Sequence, residues 1–161
     1  MGNSNMRASV AETAIGQVED ALKNAFERYP ALSSFTVLTD QSPDIAIEEG
    51  AASTIIVSTT AYQVDQSDEQ NQSFHTATME IEVVSRTQYF GTINRENQTT
   101  IAHVLSALAA DRTLGGILQD LQEIDVAPAG ANGRDVGAAS LQIRVEFFTS
   151  RNDWFVIIPQ P

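Results

Sequence analysis

The sequence predicts an α+β domain: a mixed or antiparallel β-sheet packed against two main helices, with one extended β-hairpin. Three observations predict it. Two segments, 9–27 and roughly 92–110, repeat their apolar residues with helical spacing. Two others, FHTATMEIEVVSR (74–86) and ASLQIRVEFFTS (139–150), alternate apolar and polar residues as half-buried strands do. The order is helix, several strands, helix, two strands, which fits a layered α+β arrangement rather than repeated βαβ units. At 161 residues the chain makes one domain, 1–161, with 1–8 expected to be flexible and 151–161 a C-terminal tail.

In the first helix, Val10, Ala14, Ile15, Val18, Ala21, Leu22, Ala25 and Phe26 form one wide apolar stripe, suited to covering a sheet. Ser9 and Glu12 have capping-box spacing, and Pro30 closes the segment. Strand-like runs follow at 35–40 (FTVLTD), 45–49 (IAIEE) and 53–64 (STIIVSTTAYQV). The wholly polar loop 65–73 separates the last of these from 74–86, so the pair reads as a long hairpin with a protruding tip. On strand 74–86, His75, Ala77, Met79, Ile81 and Val83 share one face, and Glu80 and Glu82 share the other. The second helix buries Ile101, Val104, Leu105 and Leu108. LQEIDVAP and the glycine-rich 129–137 lead to the closing strand, where Leu141, Ile143, Val145 and Phe147 face in and Arg144 faces out. If that strand adjoins the hairpin, Arg144 is expected to pair with Glu80 or Glu82 across it.

Composition narrows the function. Hydrophobic residues are 42% of the chain and charged ones 19%, the balance of a globular protein. The net charge of -12 excludes a broad basic face for nucleic acid or for an anionic membrane. There is no cysteine, which excludes thiolate nucleophiles, disulfides and zinc–thiolate sites. No apolar run reaches membrane-spanning length, and MGNSNM reads as neither a signal peptide nor a myristoylation start, since Met6 stands where Ser or Thr is needed.

Motifs for chemistry are equally sparse. His75 and His103 have no second ligand at metal spacing and read as packed or solvated side chains. The acids around Asp65, Asp68 and Glu69 lack the alternation, central glycine and closing glutamate of a calcium loop. No Gly-x-Ser-x-Gly elbow occurs, and GANGRDVG (130–137) precedes neither a Lys-Ser/Thr pair nor a helix, so it is a turn rather than a phosphate loop. No catalytic, metal or cofactor site is expected.

The stretch DRTLGGILQDLQEIDV (111–126) places two glycines where a helix stops. With the preceding LSALAA, it resembles the phage tail terminator family, also called tail-completion or minor tail proteins. In that family a helix ends in Asp-x-Thr-Leu-Gly-Gly before a short segment and a strand. Here Asp111, Thr113, Leu114, Gly115 and Gly116 match it. The resemblance extends over about residues 9–154 through the order of helices and strands, including TATMEIEVVSR and LQIRVEFFTSRNDW. The hairpin tip and the WFVIIPQP tail have no counterpart in it.

The resemblance implies a structural virion protein without enzymatic activity. It implies a homo-oligomeric ring, usually a hexamer, at the head-proximal end of the tail. Such a ring caps the tail tube protein, stops polymerisation and meets the head connector or stopper, while DNA crosses its lumen without being specifically held. Assembly would take place in the host cytoplasm. A neck or head-closure ring subunit is the structural alternative, and a small ligand-binding or catalytic domain the alternative of another class.

Three sets of residues are the candidate contacts. Thr113 is expected to cap a short helix, Leu114 to enter the core, and Gly115 and Gly116 to admit a neighbouring backbone at close range. Asp65, Asp68 and Glu69 mark the hairpin tip. Trp154, Phe155 and Ile157, in the run Trp154–Ile158, form an apolar end expected to pack on another subunit or partner.

Overall fold

The computed structural model describes residues 12–39, 53–67, 71–86, 93–128 and 136–159. Within them the elements are α1 (Ala14–Arg28), a 3-10 turn (Pro30–Leu32), β1 (Thr36–Thr39), β2 (Ser53–Ser67), β3 (Gln72–Arg86), α2 (Ile93–Ala110), β4 (Asp120–Pro128), β5 (Val136–Ser150) and β6 (Asp153–Ile157). They form an α+β fold with a mixed sheet ordered β1-β2-β3-β5-β4, and β6 pairs with β5 beyond that path. β1 runs parallel to β2, while the other pairs are antiparallel.

The α1 stripe is present, with Ala14, Val18, Leu22 and Phe26 buried at every fourth residue. Covering a large side chain such as Leu22 or Phe26 contributes roughly 1.5–3 kcal/mol. The helix starts later than the sequence predicts. Thr13 is its N-cap and its hydroxyl accepts from Gly16 N–H at 3.3 Å; Ser9 lies outside the described residues. At the other end Tyr29 turns extended, its N–H donating to Phe26 O at 3.2 Å, and Pro30 cannot continue the ladder. In α2, Ile101, Val104, Ala107 and Leu108 are buried.

Both helices cover one face of the sheet. There Ile55, Val57, Ala77, Met79, Ile81, Val83, Leu141, Ile143, Val145 and Phe147 join the helix stripes in a single core. A small second cluster, Ile56 and Val84 with Leu38 and Ala138, lies on the opposite face.

Three expectations need correction. The hairpin strands run further into the polar segment than composition indicates: Asp65 pairs with Phe74 and Ser67 with Gln72. A polar sequence extends as a ladder here because β5 pairs with β3 along its whole length, from Gln72–Ser150 to Arg86–Val136. Within the segment read as a C-terminal tail, 153–157 forms a sixth strand. β3 and β5 do adjoin, but Arg144 stands opposite Thr78, two positions from Glu80's partner Gln142. Its guanidinium turns to the other neighbour, donating to Gln122 Oε1 on β4 at 2.5 Å, rather than to a glutamate. The IAIEE run lies outside the described residues.

Both β2 and β4 are bulged, between Thr59 and Ala61 and between Glu123 and Asp125 respectively. Each bulge places one residue, Thr60 or Ile124, without an opposite number in the ladder.

Candidate functional site

The Thr-Leu-Gly-Gly stretch forms a turn, not the short helix expected of it. Leu114 N donates to Asp111 O at 3.2 Å, and Gly116 N and Leu118 N donate to Thr113 O at 3.1 and 2.9 Å. Thr113 caps this turn through its hydroxyl, which accepts from Gly116 N at 3.1 Å. Three consecutive residues have left-handed backbone: Leu114 (φ 48°), Gly115 (φ 75°) and Gly116 (φ 91°).

The reason for glycine at 115 is therefore its backbone and not close approach. A methyl added at Gly115 would meet nothing within 4 Å, but an L side chain in left-handed backbone costs about 1–2 kcal/mol. Leu114 accepts that cost, and its side chain is buried in the core as expected, 7% exposed. Arg112 fastens the turn to β4. It gives Glu123 a forked pair at 2.9 and 3.1 Å and donates to Leu121 O at 2.5 Å. The fork holds the Glu123 carboxyl below its ordinary pKa and the guanidinium above its own.

At the hairpin end, Asp65 is exposed within the ladder, and Asp68 and Glu69 lie outside the described residues. The apolar end divides in two. Ile157 is buried in the core, opposite Thr149, whereas Trp154, Phe155 and Val156 are 42%, 50% and 55% exposed. The pairing explains the division. β6 meets β5 at Ser150–Asp153 and again at Thr149–Ile157, so the three residues between bow outward as an arch. Gln17 of α1 pins it, donating to Phe155 O at 2.5 Å.

Beneath the arch lies a cluster that the sequence reading reduced to a packed histidine. His75 is fully buried, stacked on Phe147 with ring centroids 4.7 Å apart, and meets the Trp154 ring edge-on at 5.3 Å. Thr149 Oγ1 donates to Ser150 O at 3.0 Å, so its lone pairs are left for His75 Nε2 at 2.8 Å. Nε2 thus carries the proton, and Nδ1 accepts from the Tyr62 hydroxyl. Burial lowers the His75 pKa and pushes Tyr62 up to about 12. Every polar atom of the imidazole has a partner, which is the condition for burying it at all. The inward position of His75 was legible from alternation; its partners on β2 and β5 were not.

The described residues include two concavities along α2. One of about 450 Å³ is lined by residues such as Phe35, Ser53, Ser85, Arg95, Thr99 and His103. The other, about 270 Å³, is an apolar groove between α2 and β4, formed by Gln98, Ile101, Ala102, Leu105, Val126 and Ala139. Beside it β4 is an edge strand among the described residues, and 122–127 on it are all exposed, including Ile124 and Val126 at 50% and 46%. Among the described residues no three His, Asp or Glu side chains gather as metal ligands.

No family model matches the chain, and no curated protein does. Among solved structures it is similar to a chain from the virion of a native gene transfer agent particle. The two share 16% identity with a TM-score of 0.46, covering 80% of this chain and 92% of that one.

Proposed function

We propose that this chain is a structural protein of a phage or phage-like virion, acting as a tail terminator. It closes into a homo-oligomeric ring, a hexamer as in the family it resembles, on the last ring of the tail tube. There it ends polymerisation and offers its other face to the head connector. The observation that carries the reading is the Asp111–Gly116 signature between a long helix and a strand, in the order of elements that the family resemblance implies. The exposed arch Trp154–Val156 supports assembly, since contiguous large apolar residues on a surface mark contacts with other proteins. The net charge of -12 suits a lumen that DNA must cross without being gripped.

The test is tail assembly in the absence of this protein. Tubes of uncontrolled length that no longer join heads are the expected result. Tubes of normal length that fail only to join heads would point to a neck or head-closure ring instead. A protein that remains monomeric beside tube protein and takes a small ligand into the cavity near His103 would support a binding domain.

A further inference from the structure

If the chain closes into a ring, each copy must offer two different surfaces that fit one another. We propose that the Trp154–Val156 arch of one copy seats in the α2–β4 groove of the next. This rests on the ring reading above and names its contact.

Shape is the first argument. The arch is convex, bowed out between its two anchor points on β5, and the groove is a concavity of about 270 Å³. A cavity of that size suits one large aromatic side chain with a small neighbour, and the arch exposes Trp154, Phe155 and Val156 in succession.

Charge is the second. Two copies that each carry a net charge of -12 repel one another unless they touch where carboxylates are absent. Neither the groove lining nor the three arch residues include an ionisable side chain. Pairing β4 with a second β4 would instead bring Asp120, Glu123 and Asp125 of both copies together.

Position is the third. The arch stands at Thr149–Ser150 and the groove at Ala139, at opposite ends of β5. Ten residues of strand separate them by about 33 Å. Surfaces at opposite ends of a subunit give a head-to-tail contact, the kind a ring requires, whereas one self-complementary patch stops at a dimer.

The test uses two substitutions at exposed positions, with circular dichroism to verify that each variant folds. Phe155→Asp charges the arch, and Ala102→Trp fills the groove with the chain's own ring. Mass is measured by light scattering for the parent, each variant, and their equimolar mixture. The parent should form the ring and each variant alone should be monomeric. The mixture should give a 1:1 dimer and nothing larger, because the pair holds one intact arch and one intact groove. In the cysteine-free chain, Phe155→Cys combined with Ala102→Cys should cross-link copies into a ladder ending at the ring, and neither single substitution should pass a dimer. A ring that survives both Phe155→Asp and Ala102→Trp, or a mixture that stays monomeric, overturns the contact while leaving the ring reading intact. A parent that is monomeric at every concentration and beside tube protein overturns both.

Discussion

Met79 and Ile81 in the middle of β3 and His75 near its start occupy the same face of the sheet, and all three are fully buried. What buries them differs. Around Met79 and Ile81 the cover is helical, with apolar side chains from α1 and α2 meeting apolar side chains from β2, β3 and β5. Around His75 the cover is made of side chains: Phe147 beneath, Trp154 at the edge, and Tyr62 and Thr149 on the two nitrogens. A helix seals its share of sheet by area alone, whereas a lid of side chains leaves polar atoms that need partners. The hairpin end accordingly carries a hydrogen-bonded imidazole where the centre carries methionine and isoleucine. The first kind of core tolerates an isosteric apolar exchange; the second depends on donors and acceptors remaining matched.

The largest expected effect tests the helix-covered region. Met79→Ala should cost roughly 2–5 kcal/mol in urea unfolding, because the two layers cannot close over the cavity. A cost below about 1 kcal/mol would mean that the centre is no better packed than the hairpin end. Next comes His75→Leu, which keeps bulk but leaves the Thr149 hydroxyl buried without the imidazole. It should cost roughly 1–3 kcal/mol despite the more apolar side chain. A variant as stable as the parent would show that the hairpin end is sealed by area after all.

Tyr62→Phe removes one donor from a half-buried position and should cost about 0.5–1.5 kcal/mol. That loss should largely vanish in a His75→Leu background, since the two residues share one bond. Purely additive losses would deny their coupling.

The pH dependence sharpens the same contrast with a smaller signal. Burial depresses the His75 pKa below its ordinary value of 6.5, so below that value the unfolded chain binds more protons than the folded one. The contribution is complete above 6.5 and is lost as pH falls from there through the depressed folded-state value. Unfolding of the parent should therefore steepen in pH below 6.5 relative to His75→Leu, while Met79→Ala should follow the parent's profile. Parallel profiles for the parent and His75→Leu would place the imidazole's titration outside the fold's stability.

These two regions also differ in how far the sequence revealed them. The helix-covered core was legible because its pattern is periodic: Val18, Leu22 and Phe26 on α1, and Met79, Ile81, Leu141 and Ile143 on the strands, each sit where spacing puts them. Leu114 was legible as an anchor as well. The hairpin end was not, because His75 meets residues 13, 72 and 79 positions away, and no local spacing encodes such meetings. For Gly115 the position was readable, but close approach is not the cause that the structure gives it. A left-handed turn and a close backbone approach both select glycine, and only the φ angles and the empty space around Gly115 separate them. β6 was missed because Trp154–Val156 are apolar in a row, without the alternation of a half-buried strand. The arch explains why, since those residues leave the ladder.

The two bulges invert parity. Val57 and Tyr62 are five positions apart, as are Leu121 and Val126, so an unbroken strand would send each pair to opposite faces. The unopposed Thr60 and Ile124 cancel that inversion. Tyr62 comes to stand opposite Ala77 on the core face, and Val126 opposite Leu141. One surplus residue thus brings the phenol to the imidazole, and another turns a valine rather than Asp125 toward the groove. The surplus residue acts on the surface as a frameshift acts on a message: were Thr60 or Ile124 instead paired in an unbroken ladder, every later side chain of that strand would change sides.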